Sequence, residues 1–146
     1  MNAFRKPFLL IALFCSMFLA GCSSCEDDED VETLVAQISK DWKIQSLTVG
    51  GNEVADTDQF RLSLNQSGDE PTTFTITTGG VAYNFAGANS GSWSLLPNNE
   101  SPTQAVFAGN TVSFSASATQ LTISYTVDPA VDKNEPAVRF VLVPVE

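Results

Sequence analysis

An all-β domain is what most of this chain predicts: an antiparallel meander of about eight or nine short strands closing as a barrel, entered through one short helix. Three observations carry that expectation. From Trp42 onward, apolar residues recur at every second position, the period of a strand with one buried face. Clusters of glycine, asparagine and proline interrupt these runs at close spacing, as hairpin connections do. A single apolar stripe of helical period stands in front of them. A β-sandwich is the alternative arrangement of the same strands.

The helix is expected over Asp30 to Lys40, with Val31, Leu34, Val35 and Ile38 on one face. Asp30 suits an N-cap, Glu32 the positive end of the helix dipole and Lys40 the negative end. Its expected role is to cover one end or edge of the sheet. Trp42 to Val49 is then the first strand, and Gly50-Gly51-Asn52 a turn. Phe60, Leu62 and Leu64 alternate with polar residues before the turn Gln66 to Pro71. Phe74 and Ile76 lead into Gly79-Gly80, with Val81, Tyr83 and Phe85 expected on the returning strand.

After the break Gly87 to Gly91 come Trp93 and Leu95, then a polar loop from Pro97 to Pro102. Ala105 to Phe107 and the strand of Val112 and Phe114 flank a tight turn at Gly109-Asn110. Leu121, Ile123, Tyr125 and Val127 alternate with hydroxyl residues, and Asp128 to Pro136 forms the last long loop. Val138, Phe140 and Leu142 line the closing strand. Phe60, Leu62, Phe74, Ile76, Trp93, Phe114, Ile123 and Phe140 are expected to face inward.

Asp41-Trp42-Lys43, Ser90-Gly91-Ser92-Trp93-Ser94-Leu95 and Leu121-Thr122-Ile123-Ser124 resemble the small lipocalin-like (calycin-like) modules of Bacteroidota surface lipoproteins, over roughly Ile38 to the C-terminus. Lys40 stands where the lipocalin opening motif Gly-x-Trp has glycine. The resemblance implies the barrel and names no activity.

The first residues describe a secretory leader: Arg5 and Lys6, an uncharged apolar run from Phe8 to Ala20, then small residues. That run is short of the roughly 20 apolar residues a membrane-spanning helix needs. Leu19-Ala20-Gly21-Cys22 resembles the lipobox of bacterial lipoproteins. The resemblance implies diacylglycerol on the Cys22 sulfur and cleavage before it, hence a leader over 1–21. Neither Cys15 nor Cys25 has small residues before it together with an aliphatic at the right place. Two or more acyl chains anchor stably where one does not.

Residues 22–30 form an acidic tether, with 31–146 as helix plus β domain. Glu26, Asp27, Asp28, Glu29 and Asp30 resemble the acidic export signal behind the lipidated cysteine of surface lipoproteins, which implies an outer-membrane protein facing the cell exterior. The bland alternative is a hydrated spacer.

Seventeen acidic residues face seven basic ones, two of which leave with the leader. Nucleic acid is therefore not an expected partner, since its binding rests on Lys and Arg. Histidine is absent, and no Gly-rich phosphate loop follows a strand. No catalytic residue, metal ligand or cofactor is expected. The candidate ligand-binding residues are Trp93, Tyr83 and Tyr125, with Trp93 expected to be accessible after Gly91 and Trp42 expected to plug the barrel base. The function that follows is a non-catalytic binding module for a glycan or small amphiphile. The alternative is an accessory envelope lipoprotein with a protein partner.

Overall fold

The computed structural model describes residues 33–127 and 136–146. The expected leader and lipobox, Cys22, the acidic run, the expected cap Asp30 and most of the last long loop lie outside the described residues.

Helix α1 covers Leu34–Ile38, shorter than the apolar stripe implies. Thr33 is its N-cap, with extended backbone and a hydroxyl that accepts from the Ala36 amide at 3.3 Å. At the other end Ser39 donates both its amide (3.0 Å) and its hydroxyl (2.7 Å) to Val35 O, and the chain leaves helical geometry. Val35 and Ile38 are fully buried and Leu34 packs against the core beside them.

Nine antiparallel strands follow: β1 (Asp41–Val49), β2 (Asn52–Glu53), β3 (Arg61–Ser67), β4 (Glu70–Thr77), β5 (Ser90–Leu96), β6 (Gln104–Phe107), β7 (Asn110–Ala116), β8 (Leu121–Thr126) and β9 (Ala137–Pro144). From β3 to β9 each strand pairs with the next in sequence, and β1 pairs with both β3 and β9. The β1–β9 ladder runs from Trp42 opposite Pro144 to Val49 opposite Val138 and closes the sheet. The result is an eight-stranded antiparallel barrel, with β2 as an extra two-residue rung on the far end of β1. Closure excludes the sandwich, because no strand of the eight is left as an outer edge.

A bulge between Ile44 and Ser46 shifts the alternation of β1, so Trp42, Ile44 and then Leu47 face inward. All eight residues expected to face inward are buried. One expected strand is absent. The chain does turn at Gly79-Gly80, but Val81 to Phe85 form loop rather than a returning strand, and β5 takes the place beside β4. Val81, Phe85 and Ala86 are buried all the same, so the loop 78–89 lies against the core instead of joining the wall. Gly79 sits directly on the backbone of Gln59, where no side chain would fit.

The interior is apolar: among the described residues no polar or charged residue is buried. A run of aromatic contacts fills it. Phe60 meets Phe140 at 5.6 Å, Phe140 meets Phe85 at 5.4 Å, Phe85 meets Phe107 at 5.0 Å and Phe107 meets Phe74 at 5.3 Å. The last three are edge-to-face pairs, the arrangement the ring quadrupole favours. Trp42 is fully buried and donates its indole N–H to Ile38 O at 2.9 Å, which joins α1 to the start of β1. The Lys40 ammonium lies 5.5 Å from the Trp42 ring centroid and donates to Ala118 O at 3.1 Å. Lys40 is thus tied to the barrel, where the sequence suggested a helix-dipole partner.

Candidate functional site: a cleft where two strands part

Four residues from two neighbouring strands define the most distinctive surface feature. The β7–β8 ladder pairs Ser113 with Ser124, Phe114 with Ile123, Ser115 with Thr122 and Ala116 with Leu121. It stops there. Thr111 and Val112 on β7 and Tyr125 and Thr126 on β8 pass one another without pairing, although both strands continue. β7 goes on pairing with β6 as far as Asn110, and β8 with β9 as far as Thr126. The two strands are held by their outer neighbours and part from each other.

The gap opens into clefts on both sides. An outer cleft of about 370 Å³ is lined by Gln104, Thr111, Ser113, Ser124, Tyr125 and Thr126, together with Val112 and Ala137. A second cleft of about 260 Å³ lies at the barrel rim, between the 78–89 loop and the same strands. Asn84, Phe85, Gly87 and Asn110 line it, along with Thr111, Val112, Tyr125 and Thr126. Among the described residues the lining side chains are hydroxyls and amides with a few apolar groups, and none is charged.

The rim is built rigidly. Phe107 and Asn110 close a two-residue hairpin in which Ala108 (φ 49°) and Gly109 (φ 89°) both take left-handed backbone. The turn therefore sits one residue earlier than Gly109-Asn110, which frees the Asn110 side chain. Its amide donates to Ala86 O at 2.6 Å and ties the rim to the 78–89 loop. Asn84 braces that loop from within, donating to Ala88 O (3.2 Å) and Asn89 Oδ1 (3.1 Å) and accepting from the Ala86 amide (3.0 Å).

The three candidate residues do not come together. Trp93, expected to be accessible, is only 3 % exposed. Its ring lies parallel to Phe107 at 6.3 Å, and its indole N–H donates to Asn65 O at 2.8 Å. Gly91 misled here. It stands opposite Phe74, and a Cβ on it would come within 3.1 Å of the Ala108 Cβ and 3.3 Å of the Phe74 ring. Glycine at that place permits close packing and opens no path to Trp93.

Tyr83 and Tyr125 are half-buried, and Tyr125 lines both clefts. Burial pushes the Tyr125 phenol above its ordinary pKa, with the neighbouring Tyr83 adding to the rise. Tyr125 therefore keeps its proton, and its hydroxyl stays a donor at neutral pH. Asn84, Asn110, Thr111 and Thr126 were not singled out from sequence. Asparagines at turns and threonines in strands are ordinary there, and only the parted ladder gives them a common place.

Among the described residues, no group of three or more His, Cys, Asp or Glu is placed to hold a metal ion, and no helix is long and apolar enough to cross a membrane. No protein family, curated protein or solved structure matches this chain. The site therefore stands on its own geometry.

Proposed function

We propose that this chain is an outer-membrane lipoprotein, anchored through Cys22 and facing the cell exterior, whose barrel is a non-catalytic binding module for a glycan. The anchor rests on Leu19-Ala20-Gly21-Cys22, and the outward orientation on the acidic run Glu26 to Asp30. One observation favours a glycan over an amphiphile. The apolar interior is occupied by its own aromatic side chains, while the open clefts present neutral hydroxyl and amide groups beside Tyr125. An amphiphile needs an empty apolar cavity; a sugar needs convergent hydrogen-bonding groups and one apolar face.

The same filled interior supports a second function, an accessory envelope lipoprotein whose partner is another protein. An array of neutral and acidic glycans, probed with the full chain in detergent, separates the two. Binding to a glycan that Tyr125→Ala weakens about tenfold, a change of about 1.4 kcal/mol, supports the binding module. A blank array supports the accessory function.

A further inference from the structure

We infer that the outer cleft and the rim cleft are two lobes of one groove that crosses the barrel wall between β7 and β8, and that the groove takes an extended, uncharged oligosaccharide rather than a single sugar. The inference rests on the binding function proposed above and specifies its ligand.

Continuity comes from the walls. Thr111, Val112, Tyr125 and Thr126 line both lobes, and they are the residues over which the two strands have parted. The outer lobe adds Gln104, Ser113 and Ser124 on the outward face of the barrel. The rim lobe adds Asn84 of the 78–89 loop and Asn110.

The junction carries unused hydrogen-bonding capacity. In an antiparallel ladder, alternate residues turn their N–H and C=O groups to opposite neighbours. Phe114 donates to Thr103 O, away from β8, and the Ser117 amide donates to Gln120 O, toward the β8 side. Odd-numbered residues of β7 therefore face β8. On β8, the Val127 amide donates to Pro136 O, so even-numbered residues face β7. Thr111 and Thr126 thus direct backbone groups into the gap, yet the rung that would join them is not part of the ladder. Sugar hydroxyls both donate and accept, so a sugar at the junction can pair with either group.

Size and charge narrow the ligand. Ligand pockets usually enclose about 300–1,000 Å³. The rim lobe, at about 260 Å³, falls short of that range, and the outer lobe, at about 370 Å³, barely enters it. The continuous groove is larger than either lobe and lies well within that range. Among the described residues no charged side chain lines either lobe, so none of these groups favours a uronate or sulfate.

The test uses the full chain in detergent and a series of oligosaccharides, from monomer to hexamer, of whichever glycan the array selects. Affinity should rise about tenfold or more between the monomer and the trimer, then level off once both lobes are filled. Ser113→Trp places bulk on an exposed outward position in the outer lobe alone. It should abolish that rise and keep the circular dichroism and melting temperature of the parent. Equal affinity for monomer and trimer would overturn the two-lobed groove while leaving glycan binding intact. So would a rise that survives Ser113→Trp, or selection of a charged glycan alone. A blank array would remove the binding function and this inference with it.

Discussion

At the scale of single residues, the contrast between the two half-buried tyrosines and the two buried tryptophans decides what each can do. Trp93 packs on Phe107 and holds Asn65 O, so it belongs to stability. Trp93→Ala should cost about 3–5 kcal/mol in denaturant unfolding. A loss under about 1 kcal/mol would contradict its burial. Tyr125 behaves differently because its phenol is raised by burial and by Tyr83. At low pH both folded and unfolded states keep the proton. As pH rises past the ordinary tyrosine value near 10, the unfolded state ionises first and the folded state loses relative stability. Stability should therefore fall with rising pH above about 10, and Tyr125→Phe should flatten that part of the profile. An unchanged slope in the variant would assign the loss to other groups.

At the scale of elements, the 78–89 loop shows what alternation alone leaves undecided. Val81, Tyr83 and Phe85 have the spacing of a strand, and two of them are buried, as strand residues would be. Yet the partner position beside β4 is held by Ser90, Gly91 and Ser92, and Ile76 donates to Asn89 O. The second segment takes the ladder, and the first buries Val81 and Phe85 without joining it. Phe85 anchors the loop, edge-to-face on Phe107 and Phe140. Phe85→Ala should cost about 3–5 kcal/mol and speed amide exchange across 78–89 before it affects β5. Equal acceleration in β5 would mean that the loop and the wall open as one unit. The helix tells a related story. The stripe found the buried face, but Thr33 and Ser39 set its ends by side-chain bonds that periodicity does not register.

At the scale of the whole molecule, the barrel and its proposed anchor are separable claims with separate tests. Cys22→Ala should leave an uncut precursor that takes up no radioactive fatty acid, while Cys25→Ala should leave labelling intact. Label persisting on the Cys22→Ala protein would place the anchor elsewhere. Neither change touches the closed ladder from β1 to β9, so the β-type circular dichroism of the barrel domain should be the same in both.

The amino-acid sequence by itself determined the fold class, most strand positions and the inward face. A period of two, punctuated by turn residues, leaves an antiparallel sheet few other ways to bury Phe60, Phe74, Ile123 and Phe140 together. The proposed anchor and orientation also rest on the sequence alone, on Leu19-Ala20-Gly21-Cys22 and the acidic run Glu26 to Asp30, because such signals are linear stretches of chain. Tertiary structure alone decided that the interior is filled, that Trp93 is sealed inside, and that β7 and β8 part at Thr111 and Thr126. Those outcomes depend on how the strands close around one another. Val49 must reach Val138 to complete the wall, and the aromatic rings from Phe60 to Phe74 must share the space inside it. Residues far apart along the chain settle both, and no local pattern records their meeting.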